Sequence, residues 1–471
     1  MNKTTELKRR KVRDQNERPI HKKKSRPIDK APMIIHQSLL CLIISGSILT
    51  LFVVLYTDSI PWHIGHKAAD NVAKLFGVHE PQHAVVIDAG STGSRVLAFT
   101  FHRAVLNRDI LILDKELFVQ TKPGLSAFAD DPASAVKSIS YLIGKAKEEI
   151  PQEYWNRTPL VLKATAGLRL LPAKKAENLL NAVKAYFNEL PFLTNEDSVA
   201  IMDGTDEGIF SWFTVNFLIH KLNNPATTVA ALDLGGGSTQ VTFSALTPES
   251  LRHKEFIHDA LLPKGTTQVY TNSYLGLGLM AARKEIITVN SVSKEETRVM
   301  SPCVNPVIKN RKFHYGGVDY FVSGLQENYP TKSYPETPIE VGQNIPIVDY
   351  NTCSEVIKKY VLSKVKPPAE LSTKKVFAFS YYFDRAAEVG LIDEYSGGSV
   401  TIEMFKKAAE EACTTPNSEQ PFMCLDLTFI SVLLENGFDL DSETEIFLYK
   451  KINGHEISWA LGAAFNLLNG K

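Results

Sequence analysis

The sequence has no excess of either charge, because its 52 lysines and arginines balance its 52 aspartates and glutamates. A chain with that balance offers no basic surface for nucleic acid, so we expect no nucleic-acid partner. It also lacks the composition of a disordered chain, since 44% of its residues are hydrophobic and 22% are charged. With 471 residues, the chain is too long for one compact core, and we expect two lobes or domains.

Cysteine is scarce, and no two of the five cysteines form a Cys-x-x-Cys pair, so a zinc site is not expected. Cys41 lies in an apolar run and is expected to be a free thiol. The other four form an even set in the second half of the chain, which indicates two disulfides in an oxidising compartment. Three pairings are possible, and the sequence order favours Cys303–Cys353 with Cys413–Cys424.

One uncharged apolar run, residues 38–56, is long enough to cross a hydrocarbon core about 30 Å thick. Basic residues precede it, with Lys8–Lys11 and Lys22–Lys24 as the densest groups. The positive-inside rule therefore predicts a cytosolic tail over residues 1–37, a transmembrane signal anchor over 38–56 and a luminal stem over 57–82. A cleaved signal peptide is the alternative, although the run is longer than a usual h-region and no small-x-small site follows it.

One acceptor for N-glycosylation lies in the expected luminal part. It begins at Asn156 and ends at Thr158. The proline that follows, Pro159, lowers its expected use.

An apolar strand, an aspartate, a turn of glycine and hydroxyl residues and a second strand occur twice in the chain. The first copy runs from Ala84 to Phe101 around Asp88, and the second from Val229 to Phe243 around Asp233. Amphipathic helical stretches, including residues 132–149, lie between the two copies. The recurrence predicts an α/β protein with two similar lobes whose hairpin tips face one cleft.

The two turns have the chemistry of phosphate-binding loops. Glycine lets the backbone approach closely, so that its N–H groups can hold a phosphate chain. The candidate phosphate-binding residues are Ser91, Thr92, Gly93, Ser94, Arg95, Gly235, Gly236, Gly237 and Thr239. Asp88 and Asp233 suit a Mg²⁺ or Ca²⁺ ion that also binds phosphate oxygens and water. The alternative for each turn is a purely structural hairpin.

A third segment, Asp203–Gly208, is predicted to form a polar turn that carries three carboxylates beside two glycines. Glu207 could orient a water molecule and accept its proton. A solvated surface turn is the alternative, and the composition of the segment does not decide between them.

Five blocks of the sequence resemble, in order, the motifs of the ecto-nucleoside triphosphate diphosphohydrolases, or apyrases. The blocks are Ile87–Val96, Lys163–Arg169, Asp203–Trp212, Leu232–Phe243 and Ile457–Gly462. Three further segments, Lys122–Ser126, Ser273–Gly278 and Phe379–Asp384, resemble the intracellular nucleoside-diphosphatase branch. The long basic tail and signal anchor are similar to its Golgi-type member.

The resemblance implies a two-lobed actin/hexokinase-like (ribonuclease H-like) fold with a central active-site cleft, preceded by one transmembrane helix. It implies lobe I over residues 83–202, lobe II over 203–445 and a return to lobe I over 446–471. Glu207 matches the catalytic base and Ser238 the hydroxyl that positions the water. The implied metal residues, acting mostly through water, are Asp88, Asp233, Thr165, Gln240 and Trp459. Tyr381 or Tyr382 matches the aromatic residue that stacks on the nucleobase, and Gln268 stands where the family often has a basic residue.

The activity implied by the resemblance is Ca²⁺- or Mg²⁺-dependent hydrolysis of nucleoside diphosphates such as UDP and GDP. We expect a monomeric single-pass type II protein of the Golgi membrane, whose luminal domain supports glycosylation by removing by-products of glycosyltransferases. The endoplasmic reticulum, the plasma membrane and a secreted form are alternative locations. The alternative activities are a broader nucleoside triphosphatase, an actin-fold kinase and an ATP-driven chaperone.

Overall fold

The computed structural model describes residues 42–50, 52, 73, 80–105, 111–262, 265–293, 295–327, 329–333 and 344–469. The chain divides into two compact units, Met1–Ala68 and Ala69–Lys471, and each is considered by itself. In the first unit, residues 42–50 and 52 are helical. Within the described ranges, no helix is long and apolar enough to cross a membrane. The predicted tail over 1–37, half of the predicted span over 38–56 and most of the predicted stem lie outside those ranges.

The second unit begins with a mixed five-stranded sheet. Its strands are β1 (Gln82–Ala89), β2 (Ser94–Arg103), β3 (Leu111–Thr121), β4 (Leu160–Ala164) and β5 (Val199–Ile201). The strand order is β3-β2-β1-β4-β5, with β1 and β2 antiparallel and β4 parallel to β1. The apolar run Ala84–Ile87 in β1 is fully buried, as expected for a central strand covered on both faces.

Three helices connect the strands of this sheet. They are α1 (Pro132–Glu149), α2 (Ala166–Arg169) and α3 (Ala173–Phe187). The apolar side chains of α1 and α3, such as Ile139 and Leu179, form a core with alternate residues of β1 and β2, such as Ile87 and Val96. Asp131 caps α1 by accepting a hydrogen bond of 3.1 Å from the backbone N–H of Ser134.

A larger sheet occupies the second half of the chain. The strands there are β6 (Ala230–Leu234), β7 (Ser238–Ser244), β8 (Ile257–Leu262), β9 (Gly265–Leu275), β10 (Arg298–Ser301), β11 (Arg311–Tyr315), β12 (Val318–Gly324), β13 (Thr331–Ser333), β14 (Asn344–Pro346), β15 (Val376–Ser380), β16 (Gly398–Thr401), β17 (Glu445–Leu448), β18 (Lys451–Ile452) and β19 (His455–Glu456). Seven of them form one sheet in the order β16-β17-β15-β6-β7-β9-β8. The strand β17 therefore belongs to this sheet, and the return to the first lobe begins after it rather than at residue 446.

The centres of the two sheets repeat one arrangement. In the first, Asp88 of β1 pairs with Arg95 across the hairpin, and β4 runs parallel on the other side of β1. In the second, Asp233 of β6 pairs with Gln240 across the hairpin, and β15 runs parallel on the other side of β6. The sequence recurrence therefore corresponds to two equivalent strand arrangements, one in each lobe.

Helices of the second half cover the larger sheet and connect it to the first. They are α4 (Gly204–Leu218), α5 (Leu279–Ile287), α6 (Tyr350–Leu362), α7 (Tyr381–Glu388), α8 (Ile402–Thr414), α9 (Met423–Val432) and α10 (Trp459–Asn469). Trp212 of α4 and Leu461 of α10 lie in one hydrophobic core with Val86 of the first sheet and Ala231 and Phe377 of the second. This shared core holds the two lobes against the same pair of helices.

Two disulfides secure the second lobe. Cys303 is bonded to Cys353 at the start of α6, and Cys413 of α8 to Cys424 of α9. This is the pairing that the sequence order favours. Cys41 lies outside the described residues.

The close contact between α4 and α10 generates a stability prediction. A Cβ atom added at Gly462 would lie 2.5 Å from the carbonyl oxygen of Phe210, whereas one added at Gly144 in α1 meets nothing within 4 Å. Because the obstructing atom belongs to backbone, we expect Gly462→Ala to lower the free energy of unfolding by about 1–3 kcal/mol. Gly144→Ala should raise it by about 0.5–1 kcal/mol, since alanine is the better helix former. Thermal or urea unfolding of both variants checks this, and equal effects would contradict it.

Candidate functional site

The first glycine turn connects β1 to β2. Asp88 is 6% exposed, and Arg95 Nη1 donates to its Oδ2 at 2.9 Å. Gly90, Ser91 and Thr92 line a cleft beside this pair. The turn is tightly supported, since a Cβ atom added at Gly167 of α2 would lie 2.8 Å from the Cα atom of Ser91.

The second glycine turn connects β6 to β7 and lines the same cleft. The carbonyl oxygens of Gly235 and Gly236 accept hydrogen bonds of 2.9 Å from backbone N–H groups of α5, and that of Gly237 accepts one of 2.8 Å from Gly276. These bonds direct three carbonyl oxygens away from the cleft. The turn is therefore suited to an anion, because its electronegative atoms are bonded elsewhere.

The two turns approach each other closely. A Cβ atom added at Gly236 would lie 2.2 Å from Ser91 Oγ, and one added at Gly237 would lie 2.7 Å from the Cβ atom of Ala166. A side chain at either glycine would therefore push the lobes apart. The cleft between them has a volume of about 480 Å³, which suits a small-molecule ligand.

Glu207 lies beside both turns, in the first turn of α4. Asp203 caps this helix by accepting a hydrogen bond of 2.7 Å from the backbone N–H of Thr205. Glu207 is 7% exposed, lines the cleft and accepts a hydrogen bond from Arg169 Nη2. The prediction of a polar turn over residues 203–208 was wrong, because the capped segment forms a helix whose buried side faces the cleft. The alternative of a solvated surface turn is thereby excluded.

Burial changes the protonation of the acidic groups in the cleft. It raises the pKa of Glu207 to about 8, against the opposing effect of the Arg169 charge. Burial also raises the pKa of Asp233 to about 6, although hydroxyl groups of Ser380 and Ser211 donate to its carboxylate at 2.7 and 3.3 Å. The pKa of Asp88 is raised by burial and lowered by Arg95. The site therefore disfavours three simultaneous negative charges unless a positive group joins them.

Ser238 and Gln240 form a hydrogen-bonded pair on β7. Gln240 Nε2 donates to Ser238 Oγ at 2.8 Å and to Ser273 Oγ at 2.9 Å. Ser238 lines the cleft although it is almost completely buried. The hydrogen bond from Gln240 holds its hydroxyl in one orientation. Thr165, which follows β4, and Trp459, which begins α10, line the same cleft.

The residues predicted to bind a divalent cation fit a hydrated ion. Asp88 Oδ1 and Gln240 Oε1 are buried acceptors without a hydrogen-bond partner among the described residues. Asp88 lines the cleft, whereas Gln240 lies behind Ser238 and is not among the cleft-lining residues. Buried oxygens of this kind are normally satisfied by protein, water or an ion. No group of three or more His, Cys, Asp or Glu side chains in the described ranges is arranged to hold a metal directly. Binding through water, with few protein ligands, matches what Mg²⁺ and some Ca²⁺ sites use.

Several residues predicted for the site lie outside the cleft. Ser94 is 1% exposed within β2, and Thr239 is fully buried and donates its hydroxyl to the backbone oxygen of Asp233 at 2.8 Å. Gly93 packs on β3, where an added Cβ atom would lie 2.7 Å from Gln120 Nε2. The prediction that these three residues bind phosphate is corrected. Ser94 and Thr239 belong to strands, in which alternate residues face opposite sides of the sheet, and Gly93 is covered by β3.

Of the two tyrosines predicted to stack on a nucleobase, only Tyr381 can do so. Tyr381 lines the cleft, whereas Tyr382 is fully buried in the core of the second lobe and cannot reach a ligand. Gln268 is exposed on β9, pairs with Asp259 of β8 and is not among the cleft-lining residues.

The glycosylation acceptor Asn156 is exposed, while Thr158 is buried and donates to the backbone oxygen of Tyr154.

Sequence reasoning missed the residues that hold the carboxylates. Arg169 ends one of the family-like blocks, which was the only signal for its partnership with Glu207. Ser380 has a positive φ of 59°, an unfavourable conformation that places its hydroxyl on Asp233. Ser211, one turn along α4 from Glu207, carried no signal in the sequence.

Comparison with known proteins identifies the family of the chain. Residues 76–471 match the GDA1/CD39 (nucleoside phosphatase) family. Ectonucleoside triphosphate diphosphohydrolase 5 of Gallus gallus is 41% identical over 394 residues, covering 82% of this chain and 87% of that protein. The nucleoside diphosphate phosphatase ENTPD5 of Homo sapiens is 40% identical over 395 residues, with the same coverage of 82% and 87%.

A solved structure supports the fold. The nucleoside triphosphate hydrolase structure from Neospora caninum superposes with a TM-score of 0.56, covering 87% of this chain and 96% of that one. With 14% sequence identity, the likeness concerns the fold alone. The predicted two-lobed α/β fold is thereby confirmed.

The buried position of Glu207 generates a prediction about stability and pH. Because the pKa of Glu207 rises from 4.5 in the unfolded chain to about 8, the folded protein binds more protons between these values. The stability that protonated Glu207 contributes to the fold is therefore lost as the pH rises from 4.5 through about 8. In EDTA, we expect the melting temperature of Glu207→Gln to exceed that of the wild type by more at pH 8.5 than at pH 5. Glu196→Gln, at an exposed carboxylate outside the cleft, is the control, and an equal difference at both pH values would contradict the prediction.

Proposed function

The chain belongs to the GDA1/CD39 (nucleoside phosphatase) family, and on this basis we propose that it hydrolyses nucleoside diphosphates to monophosphate and inorganic phosphate. The names of its relatives, which include a nucleoside diphosphate phosphatase, support this substrate class. The observation that carries the proposal is the position of Glu207, a buried carboxylate oriented by Arg169 beside two glycine turns that close on one cleft.

The chain's own residues account for the main steps of the reaction. Backbone N–H groups of the turns at Gly90–Thr92 and Gly235–Gly237 hold the phosphate chain, with the terminal phosphorus near Glu207. Glu207 accepts a proton from water, and Ser238 orients that water toward the phosphorus. The water oxygen forms a bond to the phosphorus as the bridging P–O bond breaks, so no covalent enzyme intermediate is needed.

The cation of the reaction is proposed to be Ca²⁺ or Mg²⁺. It would be held, mostly through water, by Asp88, Asp233, Thr165, Gln240 and Trp459. When bound, it supplies positive charge that offsets the phosphate and the three buried carboxylates. The buried acceptors Asp88 Oδ1 and Gln240 Oε1 support this assignment.

Tyr381 is proposed to stack on the nucleobase at the other end of the cleft. Its ring is partly exposed and lines the cleft, and the Arg385 guanidinium lies 5.8 Å from the ring centre. Stacking on an aromatic ring is compatible with every nucleobase. It therefore favours a nucleotide without selecting a particular base.

We further propose that the chain is a single-pass type II protein of the Golgi membrane, with its catalytic unit in the lumen. The basic tail before residues 38–56, the two disulfides and the exposed Asn156 support this location. In that compartment the enzyme would remove the nucleoside diphosphates that glycosyltransferases release.

Replacement of the proposed base tests the mechanism. We expect Glu207→Gln to lower phosphate release from UDP or GDP by about 10²–10⁴-fold, because the amide cannot accept the proton of water. Glu196→Gln should retain wild-type activity. The assay uses the purified full-length protein in detergent with Mg²⁺ or Ca²⁺. Full activity of Glu207→Gln would remove this residue from the mechanism.

The same assay separates the alternative functions. Rapid, metal-dependent phosphate release from diphosphates supports the proposed hydrolase. Faster release from UTP or GTP would indicate a triphosphatase. Absence of release from every diphosphate would reject the proposal and favour a kinase or a chaperone.

Replacement of Arg169 tests its role in orienting the base. Arg169 contacts Glu207 and is not among the cleft-lining residues, so its loss should affect turnover more than substrate binding. We expect Arg169→Met to lower kcat by about 10²-fold with little change in KM. Arg169→Lys, which keeps the charge but loses the guanidinium geometry, should give an intermediate kcat. A change confined to KM would contradict this role.

A further inference from the structure

The turn between α7 and β16 places a tyrosine at the surface of the second lobe. Tyr395 is 85% exposed and is the most exposed tyrosine of the described residues, ahead of Tyr141 at 54%. A single exposed aromatic ring is common on protein surfaces and by itself assigns no function. The residues around Tyr395 therefore decide what its hydroxyl can do.

Hydrogen bonds hold the backbone of this turn in place. Asp393 Oδ1 accepts bonds from the backbone N–H groups of Tyr395 at 3.0 Å and Ser396 at 2.7 Å. The backbone N–H of Gly397 donates to the carbonyl oxygen of Asp393 at 3.0 Å. A Cβ atom added at Gly397 would lie 2.4 Å from the carbonyl oxygen of Leu448, so the turn packs on the end of β17. The ring of Tyr395 is thus presented to solvent from a fixed backbone.

Tyr395 is the tyrosine at which an accessible hydroxyl and preceding acidic residues coincide. Four tyrosines of the sequence directly follow an acidic residue, namely Tyr154, Tyr320, Tyr350 and Tyr395. Tyr320 is buried, and Tyr154 and Tyr350 are half-buried. At Tyr395 both preceding positions are acidic, since Asp393 and Glu394 come before it. An enzyme that recognises an acidic segment with a tyrosine can therefore reach this hydroxyl.

The side chain of Glu394 keeps the hydroxyl of Tyr395 protonated. Its hydrogen bond and its charge raise the pKa of Tyr395 above the ordinary value of about 10. The phenol oxygen becomes a nucleophile only when a base removes its proton. An enzyme that supplies this base also needs a basic surface, because it must approach the carboxylates of Asp393 and Glu394.

We propose that Tyr395 is sulfated by a transferase that recognises the two acidic residues before it. The donor is a nucleotide phosphosulfate. The phenol oxygen of Tyr395 forms a bond to sulfur as the bond between sulfur and the bridging phosphate oxygen breaks. The phenol proton passes to a base of the transferase, and the nucleotide leaves as its phosphate with the electron pair of the broken bond. The sulfate ester adds a permanent negative charge to a turn that already carries two carboxylates.

Sulfate is favoured over phosphate by the compartment in which the second unit is expected to fold. Its two disulfides indicate an oxidising compartment and not the cytosol, where tyrosine phosphorylation takes place. The inference rests on the luminal location proposed above and is independent of the proposed hydrolysis of nucleoside diphosphates.

The experiment expresses the full-length protein in cultured cells that are supplied with radioactive inorganic sulfate. N-linked glycans are removed enzymatically, and tyrosine sulfate is measured after alkaline hydrolysis of the purified protein. We expect the wild type to contain tyrosine sulfate and Tyr395→Phe to lose it. Glu394→Gln should lower the label by about 2–5-fold, because one of two exposed recognition charges is lost.

A matched control is Tyr141→Phe, because Tyr141 is exposed but has no acidic residue within five positions. It should keep the full label. The melting temperature of Tyr395→Phe should equal that of the wild type, since the hydroxyl is at the surface. Equal labelling of the wild type and Tyr395→Phe would overturn the proposal, as would radioactive phosphate in place of sulfate on Tyr395.

Protease added to intact microsomes separates this proposal from the proposed location. A catalytic unit that is protected from the protease but contains no tyrosine sulfate rejects sulfation alone. A unit that is digested rejects the luminal location, and sulfation with it. Phosphate release from UDP by the same preparation tests the proposed hydrolase independently of both.

Discussion

The burial of three carboxylates in one cleft is the constraint on which the rest of the site depends. Like charges so placed repel each other and lose their hydration, and both effects raise their pKa values. The structure offsets each charge separately. Arg95 donates to Asp88, two serines donate to Asp233, and Arg169 donates to Glu207. What these contacts do not supply is a positive charge common to all three groups, and a hydrated divalent cation has the right chemistry to supply it.

The position of these groups depends on a core that belongs to both lobes. The helices α4 and α10 pack on each other and contribute to one cluster with β1 of the first sheet and β6 of the second. Glu207 lies in the first turn of one of these helices and Trp459 begins the other, so the reacting end of the cleft is built directly on the shared core. Gly462 permits the helices to approach closely, and Gly236 and Gly237 permit the turns to meet. Small residues thus hold the cleft narrow, which brings backbone N–H groups from both lobes to one ligand.

The end of the cleft at which a nucleobase is proposed to bind is held in place by a different set of contacts. The helix α7 is anchored through Arg385 to the buried Asp426, which Arg283 also contacts. Two residues before Asp426, Cys424 is bonded to Cys413, so α9 is held to α8 by the disulfide and to α7 by the charged network.

The sequence by itself determined the two lobes, the position of both glycine turns and the candidate base, because each depends on a local pattern. A buried apolar strand, an aspartate and a glycine turn are adjacent in the chain, and Glu207 lies in a block that resembles a known family. Only the tertiary structure decided which side chains reach the cleft. It excluded Ser94, Thr239 and Tyr382, which face the interior. It also supplied the hydrogen-bond donors to the buried carboxylates, Arg169, Ser380 and Ser211, which are distant from those carboxylates in the chain. The physical reason is that a residue type specifies what a side chain can bind, whereas the packing of helices and strands fixes what it meets.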